Sequence, residues 1–235
     1  MKYTVQMKLP AEAFDTKGNL LPHRALDRFQ QLATAHAEEL GLGFEAMLSK
    51  NLLWVVTQIR YRVCAPIAPE QPLILETWPL PPSRLGFERC YRISDEAGLP
   101  LIEGSSNWVV IDTASRRLAL TALQYPGDDF CLDKPFEDRA RRLRDFEATD
   151  AAHTVTPGEQ YIDNNGHVNN TFYAAFAETA LGQFPAAIRQ FQIDYLHEVL
   201  QGQPLTLYTA KEEDADLVKG VSAEGERMFA CKIEY

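Results

Sequence analysis

Between residues 167 and 181 the sequence reads as a helix without a polar face. Val168, Phe172, Ala175 and Phe176 recur at helical spacing on one side, and Tyr173, Ala177, Ala180 and Leu181 fill most of the remainder. A surface helix shows one apolar stripe, whereas a helix that is apolar nearly all round has to be enclosed by other structure. The following residues supply the enclosure. Strand-like stretches at 188–195, 205–210, 217–222 and 227–234 are joined by short turns, and in the last of them Phe229, Cys231, Ile233 and Tyr235 alternate with polar residues. A helix wrapped by its own curved antiparallel sheet satisfies both patterns.

The same order occurs earlier in the chain. A strand at 3–8 precedes a helix that starts at Pro22, carries Phe29, Leu32, Ala33, His36 and Leu40 at helical spacing, and stops at Gly41 and Gly43. Strands at 53–63, 73–78, 87–94 and 101–112 follow, separated by turns rich in Pro, Gly and Asp. Period-two alternation over 53–63 predicts one face of Val55, Thr57, Ile59, Tyr61 and Val63, and another of Trp54, Val56, Gln58, Arg60 and Arg62. A helix-then-meander order repeated about 140 residues apart predicts an α+β protein made of two copies of one fold. A single α+β domain with two unrelated helices is the alternative. The expected boundaries are a first repeat over 1–130, a linker over 131–152, and a second repeat over 153–235. The linker is mixed in charge and without strand alternation, and is expected to be helical in part.

At 235 residues, 46% of them hydrophobic, either arrangement buries a core without metal or disulfide staples. The four cysteines, Cys64, Cys90, Cys131 and Cys231, have neither zinc-ligand spacing nor a disulfide pattern, and are expected to be buried or half-buried free thiols, with no metal. No apolar run reaches the ~20 residues of a membrane span, and the N-terminus has no signal-peptide core, so the expectation is a cytoplasmic protein without an integral membrane segment. Of the net charge of −10, residues 149–235 carry −8. That surface repels phosphate backbones, so nucleic acid is not an expected partner.

Chemistry concentrates where the second helix begins, in Asp163-Asn164-Asn165-Gly166-His167-Val168-Asn169-Asn170. In an extended approach Asp163, Asn165 and His167 would project to one side. The helix start adds free N–H groups and about half a positive charge, a setting that stabilises an oxyanion appearing in a transition state. The same residues also fit a plain helix entry, with Asp163 or Asn164 as cap, Asn165-Gly166 as a turn and His167 as a surface histidine. Nothing similar surrounds the first helix. His36 is expected to be a hydrogen-bonded core histidine, and one active site per chain follows.

At these positions the chain resembles the acyl-[acyl-carrier-protein] thioesterases, enzymes of double hot-dog fold that release fatty acids. Asp163 through Asn170, Tyr173 and Glu178 match the family pattern, and Ile193-Asp194-Tyr195-Leu196-His197-Glu198 matches its strand ending in a catalytic Glu. The first half agrees through residues 54–61, 75–79 and 107–112. The resemblance implies two tandem hot-dog repeats, each a long helix wrapped by an antiparallel sheet. It implies a network of Asp163, Asn165, His167 and Glu198 that hydrolyses a fatty acyl thioester. Some members carry Cys after the Glu, where this chain has Val199, which leaves general-base-assisted water attack with Glu198 or Asp163 as base. An acyl-anhydride on Asp163 is the competing route.

The implied partner is an acyl carrier protein bearing a phosphopantetheine-linked acyl chain, with no cofactor, and the chain is expected to be a monomer or homodimer. Met47, Trp54 and Val56 of the first repeat are candidates for lining the acyl pocket. Arg139 and Arg142 of the linker, with Arg60, Arg62, Arg116, Arg117, Arg141 and Arg144, are candidates for meeting the acidic carrier. Three readings of other kinds remain open: an acyl-CoA thioesterase, a hot-dog hydratase or dehydratase, and a non-catalytic acyl-binding module.

Overall fold

The computed structural model describes residues 1–84, 86–120, 123–148 and 151–235. Thr149 and Asp150 of the expected linker lie outside them. The chain divides into two compact units, Met1–Ala11 with Asp27–Arg139, and Glu12–Leu26 with Ala140–Tyr235.

In the first unit five antiparallel strands, β1 (Tyr3–Lys8), β2 (Leu52–Val63), β3 (Pro72–Pro79), β4 (Phe87–Ser94) and β5 (Pro100–Asp112), take the order β1-β3-β4-β5-β2. Helix α1 (Pro22–Glu39) runs past the unit boundary, and its later turns pack on this sheet. Phe29 stacks on Tyr91 of β4 at 4.4 Å between ring centroids and meets Tyr61 of β2 edge-on at 6.1 Å. A short helix, α2 (Phe44–Leu48), leads into β2.

The structure corrects the face assignment along β2. The register with β5 shifts between Val56 and Gln58, so Thr57 is an extra residue that reverses the parity of all that precedes it. Trp54 accordingly meets Phe87 edge-on at 5.0 Å, on the face that Tyr61 shares with α1. On the opposite face Arg60 is buried, pairs with Asp138 at 3.2 Å and lies 3.9 Å from the Phe136 ring centre. Arg62 is held by Glu103 at 2.6 Å. Arg60 is thus withdrawn from the surface, and the charge of Arg62 is met by Glu103.

The second unit repeats the plan with β6 (Ala151–Val155), β7 (Gln190–Tyr195), β8 (Leu205–Glu212), β9 (Ala215–Ser222) and β10 (Arg227–Glu234), in the order β7-β10-β9-β8-β6, around helix α3 (Asn170–Leu181). Val168, Tyr173, Ala174, Phe176 and Ala177 are buried, as an apolar helix requires. Residues 12–26 group with this unit through specific contacts. Lys17 Nζ donates to the Phe184 carbonyl at 2.6 Å, and Glu178 accepts the His23 N–H at 2.7 Å and lies 2.6 Å from the His23 ring.

Two further expectations change. Residues 131–148 form no helix; they run along the units as an extended strap. Three of its five acids, Asp133, Asp138 and Asp145, pair with Arg92, Arg60 and Lys219 of the strands. Of the cysteines, Cys90 and Cys231 are buried and Cys131 is half-buried, but Cys64 is exposed. No helix of the described residues is long and apolar enough to cross a membrane.

His36 lies in the first core, 2% exposed, stacked on Tyr3 at 5.8 Å, with Arg89 Nη1 donating to its Nδ1 at 3.0 Å. Burial first, and then the Arg89 charge, lower its pKa from 6.5 to about 4. Between those values the unfolded chain binds a proton that the folded chain refuses, so stability rises with pH and is lost as pH falls from 6.5 towards 4. The loss is expected to reach up to about 3 kcal/mol. Urea midpoints at pH 7 and pH 4.5 check this, with His36→Gln expected to flatten the difference; an equal pH dependence in the variant refutes it.

Candidate active site

The approach to α3 is a tight turn rather than an extended run. Gly166, at φ +81°, donates its N–H to the Asp163 carbonyl at 3.0 Å, and the Asp163 N–H returns to the His167 carbonyl at 2.8 Å. Asp163 and Asn165 meet because of this turn: Asp163 Oδ1 accepts the Asn165 backbone N–H at 2.8 Å, and its Oδ2 lies 3.5 Å from Asn165 Nδ2. The helix cap is Asn169, not Asp163 or Asn164. Its Oδ1 accepts from the Thr171 N–H at 3.0 Å and from the Thr171 hydroxyl at 3.2 Å.

Past the turn the chain docks against the segment after β7. His167 forms an isolated antiparallel bridge with Leu200, and the Val168 N–H donates to the Val199 carbonyl at 2.8 Å. This pairing brings two side chains from distant parts of the sequence together: His167 Nε2 is 3.1 Å from Glu198 Oε2, with the His167 side chain 24% exposed and that of Glu198 40% exposed. A carboxylate at an imidazole, beside an acid-amide turn and a helix N-terminus, can abstract a proton from water and meet a developing negative charge.

The other candidates lie in different places. Met47 and Trp54 join one apolar cluster with Leu42, Leu52, Phe87, Val110 and Leu123, in which Trp54 Nε1 donates to the Leu42 carbonyl at 3.0 Å; Val56 is also buried. Arg139 is exposed beside a cleft of about 190 Å³ in the first unit, and Arg142 is exposed in the second. Both arginines are exposed and form no ion pair among the described residues, while three of the strap's five acids, Asp133, Asp138 and Asp145, are paired with cations of the strands.

Sequence reasoning missed the Asn169 cap and the hydroxyl of Tyr173. Asn169 carries the ordinary signal of a capping residue ahead of an apolar run. Tyr173 carries a weaker one, a phenol in a helix otherwise built from Phe, Ala and Leu.

Residues 1–123 match the model of the acyl-ACP thioesterase N-terminal domain. The palmitoyl-acyl carrier protein thioesterase of Gossypium hirsutum chloroplasts is 28% identical over 162 residues, which is 63% of this chain and 39% of that protein's own length. Among solved structures, an acyl-ACP thioesterase from Bacteroides thetaiotaomicron superposes with a TM-score of 0.86 at 22% identity, covering 99% of this chain and 97% of the other. The 12:0-ACP thioesterase of Umbellularia californica superposes with a TM-score of 0.83 at 19% identity, covering 99% and 96%. The likeness extends over the whole double hot-dog fold, and the N-terminal domain is matched along more than half of the 235 residues: this chain belongs to the acyl-ACP thioesterase family.

Proposed function

We propose that the protein hydrolyses the thioester between a fatty acyl chain and the phosphopantetheine of an acyl carrier protein, releasing free fatty acid. The observation that carries this is the 3.1 Å approach of Glu198 to His167 at the entry of a buried helix. Glu198 takes a proton from water as its oxygen attacks the carbonyl carbon. His167 and Asn165 orient the water or hold the oxyanion, and the positive end of the α3 dipole favours the charge. When the tetrahedral intermediate collapses, the carbon–sulfur bond breaks and the pantetheine thiol leaves with a proton. Asp163 acts by fixing Asn165 through the turn.

Met47, Trp54 and Val56 belong to the apolar region that receives the acyl chain, and Arg139 and Arg142 meet the acidic carrier. This docking is supported by the exposure of Arg139 and Arg142 on a chain of net charge −10, since only local positive charge works at a screening length of about 8 Å. The carrier as handle is supported by the names of the relatives, palmitoyl-acyl carrier protein thioesterase among them. A place at the end of fatty-acid biosynthesis, in the cytoplasm, goes with that substrate.

Acyl-carrier and acyl-CoA substrates of increasing chain length, assayed for free acid and free thiol together, test the proposal. The expected result is stoichiometric acid and thiol, with the carrier-bound substrate preferred. Hydration of an enoyl thioester without acid release, or binding without turnover, would overturn it; preference for CoA would replace the handle.

A further inference from the structure

Two tyrosine hydroxyls tie the start of α3 to the segment that carries Glu198. Tyr195, at the end of β7, donates its hydroxyl to the Asn170 carbonyl at 3.1 Å. Tyr173, one turn into the helix, accepts the Val199 N–H on its hydroxyl at 3.1 Å. Between these ties runs the Val168-to-Val199 backbone bond of 2.8 Å. Val199 is 0% exposed and Tyr173 3%, so no solvent stands ready to replace the phenol. The ring itself is fixed, edge-on to Tyr195 at 5.6 Å and to Phe229 at 5.3 Å.

Resting on the function proposed above, we infer that Tyr173 is a positioning residue: its hydroxyl anchors the Val199 amide and thereby holds the adjacent Glu198 carboxylate at His167. The need for such an anchor lies in the exposure of Glu198. A side chain 40% open to water has several rotamers within reach, and the position of its backbone sets which of them bring the carboxylate to His167. Misplacement by about 1 Å costs up to about a hundredfold in rate, so a bond that fixes this backbone acts on turnover rather than on affinity. The phenol suits the task because it stays protonated. Burial raises its pKa against the opposing Val199 hydrogen bond, and the nearby Glu198 and Asp163 charges raise it further.

Tyr173→Phe keeps the ring and removes only the hydroxyl. The expected result is a kcat about tenfold lower with KM within about twofold, the split expected of an interaction that serves the transition state. In a Glu198→Gln background the same substitution is expected to change kcat by less than about twofold, because the group it positions is already gone. A tenfold loss in both backgrounds, or none in the wild type, overturns the assignment. Hydrogen exchange at the Val199 amide needs no substrate: it is expected to speed up about tenfold or more in Tyr173→Phe, with Val218 of β9 unchanged, and unchanged exchange at Val199 is equally fatal. If the wild type turns over no acyl thioester, the proposed function fails on its own and the exchange result alone decides the anchor. If Tyr173→Phe does not fold, Tyr195→Phe loosens the same junction from its other side and is expected to show the same kcat-against-KM split and loss of effect with Glu198→Gln.

Discussion

Glu198→Gln is expected to lower kcat on carrier-bound acyl thioester by about 10²–10⁴-fold while changing folding stability by less than about 1 kcal/mol. The two halves of this expectation come from one geometry. The carboxylate lies 3.1 Å from His167 Nε2, close enough to share a proton path with it. It is also 40% exposed, and a polar contact so open to water contributes little to the folded state. Gln keeps the shape and can hydrogen-bond to the imidazole but cannot accept a proton from water. Steady-state hydrolysis and a thermal melt of the same preparation check both halves. Retained kcat would remove Glu198 from the reaction and leave Asp163 as the base or the nucleophile.

Phe29→Ala is expected to cost about 3–5 kcal/mol of stability, a large part of the 5–15 kcal/mol typical of a folded domain. Phe29 is 0% exposed, stacks on Tyr91 at 4.4 Å and meets Tyr61 at 6.1 Å. Beneath it is Gly104 of β5, where a Cβ would stand 2.8 Å from the ring, so α1 approaches the sheet as closely as a glycine permits. The sheet cannot close over the vacated volume, because the neighbouring rings are held by their own strands. Urea denaturation of Phe29→Ala against Thr34→Ala, an exposed position on the same helix, measures the difference; the control is expected to stay within about 0.5 kcal/mol of wild type. A loss below about 1 kcal/mol at Phe29 would mean that this row of contacts does not hold the helix.

Much of the secondary structure was legible because alternation and helical spacing are local. The expected strands at 87–94 and 227–234 coincide with β4 and β10, and the expected helix at 22–40 ends one residue later than α1. What escaped has identifiable causes. Strand β6 consists of Ala151-Ala152-His153-Thr154-Val155 at the edge of its sheet, almost wholly exposed, so it buries no alternate face and leaves no apolar pattern. The bulge at Thr57 is invisible in the sequence because either parity of β2 offers a plausible apolar face; only the pairing with β5 selects one. The strap over 131–148, mixed in charge and without strand alternation, is expected to be partly helical, yet three of its acids pair with cations on the strands, and that pull depends on where those strands lie.

The sequence alone determined that a fully apolar helix had to be enclosed, that a helix-then-meander order occurs twice, and which residue types around positions 163–170 and at 198 could do acid–base work. Periodicity and side-chain chemistry are properties of neighbours along the chain, so they can be read without coordinates. Tertiary structure decided that Glu198 meets His167 across a bridge of backbone pairs anchored by Tyr173. A hydrogen bond acts over about 3 Å, and residues thirty places apart come within that range only after the apolar surfaces around them have been buried.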